Sequence, residues 1–279
     1  MFHLDSSGGN LIFVITDYQL ETVCMEKDLT PGNSEHSYFP LPDMVVVKDD
    51  TSKPGKIFYS QLQSKLSGII NIESITTPFL NPPLNINYNR NCKRMLDILF
   101  AAIVIIAVLS WLIPIIAFLI IIDSRGPVFF LQKRNKRYGE VFTCIKFRSM
   151  ILNPAADILP ASEDDKRITR IGRFLRNHYL DELPQFFNVL WGDMSVAGPR
   201  PHMIHDNLKY EMQIEQYAYR HKVKPGITGL AQVLGYTGAA SDIQKMQDRI
   251  NMDVFYVRHW SFKLDMIIFY RTIKKIFGL

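Results

Sequence analysis

The sequence predicts a mixed α/β chain that is mostly helical: a re-entrant membrane helix hairpin, a polar domain behind it that carries interfacial amphipathic helices, and a small N-terminal α/β appendage. Three observations carry this reading. The run Ile98 to Ile122, ILFAAIVIIAVLSWLIPIIAFLIII, contains no charge. Behind it, β-rich segments are followed by stretches of helical spacing. Ahead of it, short apolar runs end in a Pro- and Asn-rich stretch. The implied divisions are residues 1–89, 93–125 and 126–279.

Composition sets the outer limits. The chain has 279 residues, 47% of them hydrophobic, a net charge of +5 and a mean hydropathy of +0.01. Eighteen Phe and twelve Tyr supply enough apolar surface for a core, which excludes ordinary disorder. The Gly and Pro residues follow no period, which excludes a collagen-like or repeat array. Cys24, Cys92 and Cys144 are widely spaced, so they form neither a disulfide framework nor a metal knuckle, and a reducing compartment is expected. Met1 to Asn10 carries no basic stretch ahead of an apolar one, so no cleaved secretory signal is expected.

In residues 1–89, Leu11 to Asp17 and Met44 to Lys48 read as short buried strands, and Phe58 to Ile70 has helical spacing. Thr77 to Asn91 reads as a linker. The apolar run that follows is long enough to cross a bilayer, for which about 20 residues suffice. Yet Lys93 and Arg94 precede it and Arg125, Lys133 and Arg134 follow it, and positive charge marks the cytoplasmic side. A helix that enters and returns on one side resolves that conflict. Pro114 would bend it and Ser110 would help satisfy the freed backbone groups, with a straight span as the alternative.

Pro127 to Lys133 and Val141 to Met150 read as strands joined across Tyr138 to Glu140, and Asn153 to Asp165 as loop. From Arg167 to Asn177, Arg167, Arg170, Arg173 and Arg176 recur every third residue, a cationic stripe suited to lipid headgroups or phosphate, or a solvated face. Asp253 to Leu279 mixes aromatic and basic residues, which suits either a membrane interface, with Trp260 among its anchors, or an amphipathic helix on the core.

Three local patterns point to phosphate chemistry. Lys146 and Arg148 are two apart on a strand and share a face. Arg200 lies between Pro199 and Pro201, which pre-organise a guanidinium for a bidentate grip. Asp181 and Glu182 adjoin each other ahead of a helical run beginning near Pro184, where they read either as helix cap and dipole partner or as a metal-assisted pair facing a phosphate. The turn-rich Lys222 to Val233 is not a P-loop, and no GxSxG, HExxH or dinucleotide fingerprint is present.

Taken in order, KRMLDILF, the apolar hairpin, GPVFF, IKFRSM, RITRIGRFLR, LDELPQFFNVLWGDMSVAGPRP and VKPGITGLAQV resemble the bacterial sugar transferase family, the monotopic phosphoglycosyl transferases. The resemblance covers Lys93 to Leu279 and leaves residues 1–89 unmatched. It implies transfer of a sugar 1-phosphate from a UDP-sugar to undecaprenyl phosphate, with residues 126–279 as the catalytic domain. It makes Asp181 the nucleophile, Glu182 a Mg²⁺ ligand and Asp253 a further acid near the metal. Arg176 and Arg200 become the phosphate-handling arginines, with Lys146 and Arg148 as further substrate-binding candidates. It also implies a break of the membrane helix at Pro114.

The location implied is the bacterial inner membrane with the active site facing the cytoplasm. Membrane lipid, a second copy of the chain and downstream glycosyltransferases are the expected partners, and nucleic acid is not. Leu230, Leu234 and Thr237 depart from the family pattern at positions expected to shape the nucleotide or sugar pocket. Those departures leave open a second reading, a non-catalytic membrane scaffold of a polysaccharide pathway.

Overall fold

The computed structural model describes residues 12–16, 19–23, 82–153, 165–237 and 242–278. These fall into two units, one within residues 1–53 and one within 54–279. In the first, β1 (Ile12–Thr16) pairs antiparallel with β2 (Gln19–Val23). The expected strand at Leu11 to Asp17 is present, while the expectations for Met44 to Lys48 and Phe58 to Ile70 lie outside the described residues.

Among the described residues of the second unit, a 3-10 turn at Pro83–Asn85 leads into a single helical run over Asn87–Asp123. It comprises α1 (Asn87–Val104), a π-helical turn at Ile105–Leu109 and α2 (Ser110–Asp123), which contains Pro114. The backbone therefore does not break at Pro114; the irregularity falls one turn earlier. Widening the helix ahead of a proline relieves the clash between its ring and the preceding turn, at the cost of displaced carbonyls. Two side chains answer them: Ser110 Oγ donates to Ile106 O at 2.6 Å, as its position suggested, and Trp111 Nε1 donates to Ala107 O at 2.9 Å.

This helix is held at both ends by the domain that follows it. At its start Lys93 Nζ meets Asp265 Oδ2 at 2.6 Å, with both side chains buried. Arg94 donates to the Val189 and Leu190 carbonyls, and Asp97 Oδ1 accepts from Val196 N at 2.9 Å and Ser195 Oγ at 3.0 Å. At its end Asp123 accepts from Ile171 N, and Arg148 donates to the Ser124 and Arg125 carbonyls. Between these anchors Ala101, Leu109, Ile116 and Ile120 are buried against Phe142, Cys144, Phe147 and Leu175. Lys93 and Arg94, read from sequence as a charged flank, are thus engaged by protein rather than by lipid. The opposite face leaves Ile103, Ile106, Trp111, Phe118 and Ile122 exposed, an apolar surface of the kind that marks membrane association.

After the helix, β3 (Phe129–Asn135) and β4 (Val141–Phe147) form the expected antiparallel hairpin, with Phe130 opposite Lys146. Helix α3 (Arg170–Asn177) is capped by Thr169, whose hydroxyl accepts from Gly172 N at 2.9 Å. Arg167 lies ahead of that cap and pairs with Asp165, so the stripe expected over four arginines is carried by Arg170, Arg173 and Arg176. Gly172 is required at its place, because a Cβ there would meet Ser149 O at 1.9 Å.

Helix α4 (Gln185–Trp191) docks on β4 through one amide. Asn188 Oδ1 accepts from Ile145 N at 3.0 Å and its Nδ2 donates to Thr143 O at 2.8 Å. Strand β5 (Ser195–Ala197) pairs parallel with β6 (Gly226–Thr228). The turn-rich Lys222 to Val233 segment is therefore a frame for the loop after β5: Gly226 N donates to Pro199 O and Gly198 N to Thr228 O, both at 2.9 Å. Helix α5 (Ile204–Glu211) lies between these two strands in the chain, and the short α6 (Leu230–Val233) and α7 (Ile243–Arg258) follow β6. Within α7, Asp253 is buried against Arg220, which reaches it at 2.8 and 3.0 Å and also donates to the Arg200 carbonyl.

The last helix is α8 (Phe262–Phe277). Trp260, expected at an interface, is buried in the core and donates to Asp265 at 3.0 Å, because Asp265 needs donors as well as Lys93. Phe262, Met266, Tyr270 and Ile273 stay exposed on this helix.

Two buried ion pairs therefore set stability. Removing one member of a buried pair costs about 3–5 kcal/mol, because the other charge is left unanswered. Lys93→Met should lower the melting temperature of the detergent-purified protein clearly, while Lys263→Met on an exposed position should stay within about 0.5 kcal/mol of wild type. Asp253→Asn should cost as much as Lys93→Met, and the paired change Arg220→Met with Asp253→Leu should recover most of that loss. Thermal denaturation of the four variants checks both.

Candidate active site

A cavity of about 380 Å³ opens between the β3–β4 hairpin, the turn ahead of α4, the loop after β5 and helices α5 and α7. Its inner wall gathers side chains that are far apart in sequence: Lys146, Arg176, Asp181, Glu182 and Arg200. Each is delivered by a different local device. Lys146 comes from β4, two residues before Arg148. Arg176 ends α3, where a cation suits the helix C-terminus. Asp181 and Glu182 occupy a 3-10 turn, Leu180–Glu182, entered through Tyr179 in the left-handed region (φ 58°).

That turn is not a helix cap. Pro184 is the residue ahead of α4, and neither acidic side chain bonds the helix N-terminus. Glu182 instead receives Lys146 Nζ at 2.8 Å and a two-pronged approach from Arg200, one arm of which lies at 2.8 Å. Burial alone would raise the Glu182 pKa, but the charges of Arg200 and Lys146 and their hydrogen bonds outweigh it and hold the group well below the usual carboxylate range. Asp181 has no hydrogen-bonding partner among the described residues. Its pKa is pushed up to about 6, by burial first and then by the neighbouring Glu182, against the pull of Lys146, Arg176 and Arg200. At neutral pH it is an ionised, unencumbered carboxylate facing a cationic wall.

The loop that presents Arg200 is held by its carbonyls. Arg134 Nη1 donates to Pro201 O at 2.9 Å, and Arg220 holds the carbonyl of Arg200 itself. Arg134 and Arg220 carry no motif and were not singled out in the sequence. The one signal for Arg134 is its place two residues from Gln132 on a strand, a polar pair on one buried face. Arg148, expected to share a phosphate with Lys146, lines the cavity but spends its guanidinium on the end of α2.

The residues expected around a divalent cation come together only in part. Among the described residues no three His, Cys, Asp or Glu side chains converge. Asp253 does not line the cavity and is closed off by Arg220. Glu182 does line it, and a carboxylate that accepts from two cations still has free lone pairs. The donor set fits a Mg²⁺ that takes one or two carboxylates and completes its shell with substrate phosphate and water, and does not fit a closed all-protein site.

Of the three departures from the family pattern, Leu230 is buried in the hydrophobic core and Leu234 packs on it. Neither they nor Thr237 line the cavity, so the expectation that they shape the substrate pocket is not met. The scaffold reading loses its support with them.

A family model described as bacterial sugar transferase matches residues 88–278. The chain is 42% identical over 225 residues to the UDP-glucose:undecaprenyl-phosphate glucose-1-phosphate transferase of Klebsiella pneumoniae, covering 80% of this chain and 48% of the relative. It is 39% identical over 225 residues to the protein of the same name from Escherichia coli (strain K12), with 80% and 48% covered. It is also 39% identical over 217 residues to the UDP-N-acetylgalactosamine-undecaprenyl-phosphate N-acetylgalactosaminephosphotransferase of Aeromonas hydrophila, with 77% and 51% covered. The chain spans about half the length of these curated relatives. Its match across the helix, the acidic turn and the Arg200 loop shows that this chain belongs to the bacterial sugar transferase family.

Proposed function

We propose that this chain transfers a sugar 1-phosphate from a UDP-sugar to undecaprenyl phosphate at the cytoplasmic face of the bacterial inner membrane, and so initiates exopolysaccharide, O-antigen or glycoconjugate assembly. The observation that carries this reading is Asp181: an ionised carboxylate without a hydrogen-bond partner among the described residues, beside a second carboxylate already answered by Lys146 and Arg200. The names of the relatives support a UDP-sugar donor and an undecaprenyl phosphate acceptor.

In the first step an Asp181 oxygen attacks the sugar-linked phosphorus. The bond from that phosphorus to the bridging oxygen breaks, and UMP leaves with the electron pair. In the second step an oxygen of undecaprenyl phosphate attacks the same phosphorus, and the bond to Asp181 breaks to regenerate the carboxylate. Arg176 and Arg200 hold and screen the phosphate oxygens, and Lys146 keeps Glu182 ionised and in place. Glu182 would hold Mg²⁺, which supplies charge neutralisation at the phosphate oxygens. Attack by a carboxylate on a diphosphate is otherwise opposed by strong repulsion.

The same reading places the helix Asn87–Asp123 in the membrane as a re-entrant element. Both of its ends are anchored to one domain and its middle packs on that domain, which supports a helix that returns to the side it entered from. The exposed apolar face opposite supplies the surface that dips into lipid.

Three outcomes test these statements. Asp181→Asn should lose UMP release by at least about 10³-fold with every UDP-sugar offered, while melting at or above the wild-type temperature, since the variant removes a buried carboxylate repelled by Glu182. EDTA should abolish UMP release and added Mg²⁺ should restore it; full activity in EDTA would overturn the metal assignment. In a cysteine-free background, Tyr88→Cys and Arg125→Cys should both react with an impermeant maleimide from the cytoplasmic side only, whereas labelling from opposite sides would establish a span.

A further inference from the structure

The far lobe of the cavity contains a histidine that the proposed transfer leaves unused. His202, directly after the Arg200–Pro201 turn, lines the cavity and is almost wholly buried. Its Nδ1 lies 2.7 Å from the Tyr217 hydroxyl, and its Nε2 has no partner among the described residues.

The tautomer of this ring follows from a chain of hydrogen bonds that starts at a backbone carbonyl. Asn135 Nδ2 donates to Gly139 O at 2.7 Å, which turns Asn135 Oδ1 toward Asn207. Asn207 must therefore offer its Nδ2 to Asn135 and its Oδ1 to Tyr217. The Tyr217 hydroxyl has one proton and donates it to Asn207 Oδ1. Its oxygen is then left only to accept, so His202 Nδ1 must carry the ring proton. Nε2 is consequently a bare lone pair. Burial, together with the positive charges of Arg220, Arg249, Arg134 and Arg200, keeps the ring neutral by holding its pKa well below the ordinary value.

A buried acceptor without a donor is unfavourable, and a donor brought into the cavity by substrate would satisfy it. Every neighbouring cation is an obvious donor, yet none of them reaches Nε2. We propose that His202 Nε2 accepts a hydrogen bond from a hydroxyl of the UDP-sugar, on its ribose or its hexose, and so makes His202 a substrate-binding and specificity-determining residue. The inference rests on the UDP-sugar reading above. Its location suits the role: Arg200, proposed above to hold the phosphates, lines the same cavity, as do Asp206, Tyr210, Met246 and Arg249. A neutral acceptor among arginines selects a hydroxyl there and contributes nothing to binding a bare phosphate.

The test is a double-mutant cycle between the residue and the substrate. His202→Phe should raise the KM for the UDP-sugar about tenfold and leave the KM for undecaprenyl phosphate unchanged. Removing the partner hydroxyl from the substrate, with 2′-deoxy-, 3′-deoxy- or hexose-deoxy UDP-sugars, should weaken wild type by a similar factor. The same analogue should cost His202→Phe almost nothing. The analogue that shows this coupling identifies the hydroxyl as ribose or hexose.

Losses that simply multiply for every analogue would overturn the proposal, as would an unchanged KM. Since His202→Phe could disturb folding, nitrogen-15 spectra of histidine-labelled wild type in detergent provide a second measurement. They should show a neutral ring protonated at Nδ1, with the Nε2 signal moving toward the hydrogen-bonded position when UDP-sugar is added. A proton on Nε2, or no movement on binding, would overturn the proposal. Wild type that neither binds nor turns over any UDP-sugar would overturn the transferase reading and this inference together, whereas activity without coupling would overturn this inference alone.

Discussion

Asp181 and Glu182 are neighbours in one partly buried turn, and two carboxylates so placed oppose each other's ionisation unless cations answer at least one of them. The structure gives the answer to Glu182, through Lys146 and the fork of Arg200, and leaves Asp181 without one. The asymmetry separates the roles of two chemically similar groups. Glu182 is fixed and fully ionised, while Asp181 is free to move toward an electrophile. Lys146 must be on β4, Arg200 on a rigid loop and the turn between α3 and α4 for this to hold, so most of the fold can be understood as the support of one ion cluster.

That support runs back to the membrane helix. Arg94 holds the C-terminal carbonyls of α4, the helix that starts just after Glu182, and Asp97 holds the first residues of β5, which leads to Arg200. Asp123 and the Arg148 contacts tie the other end of the helix to α3 and β4, the elements that carry Arg176 and Lys146. One apolar helix therefore indexes the elements that bring Lys146, Arg176, Asp181, Glu182 and Arg200 to the cavity. The exposed apolar face of this helix and the face that frames the site lie opposite each other. Ala101, Leu109, Ile116 and Ile120 point one way, and Ile106, Trp111 and Phe118 the other.

The parts legible in the sequence were those governed by local rules. The β3–β4 hairpin followed from strand patterning around a glycine turn, whereas acids ahead of a helix and an arginine between prolines are ordinary local chemistry, and Asp181, Glu182 and Arg200 took their roles from the family resemblance. What resisted reading was long-range pairing. Lys93 looks like a membrane-flanking charge until Asp265, 172 residues away, is seen to bury it. Asp253 looks like a metal ligand until Arg220 closes over it, and Arg148 looks like a partner of Lys146 until the end of α2 claims it. In each case the charge is plain and its counterpart is not, because an ion pair leaves no periodic trace. The two readings of the Trp260 segment stayed open for the same reason: its indole donates to Asp265 in a core that only the fold assembles.

The charge of the cavity also bears on why the proposed transfer proceeds in two steps. Among the described residues its wall carries six cationic side chains, Arg134, Lys146, Arg148, Arg176, Arg200 and Arg249, against the carboxylates of Asp181, Glu182 and Asp206, a formal excess of three positive charges. A phosphate monoester such as the acceptor brings about 1.5–2 negative charges at neutral pH, and a nucleotide diphosphate sugar brings a comparable amount. Either substrate alone meets a positive cavity, to which the proposed Mg²⁺ would add two further charges, whereas both together would repel each other where their oxygens approach. In the proposed two-step course Asp181 holds the phosphosugar between steps, UMP leaves before the acceptor arrives, and the same arginines serve each anion in turn, so that repulsion between the two substrates is never met.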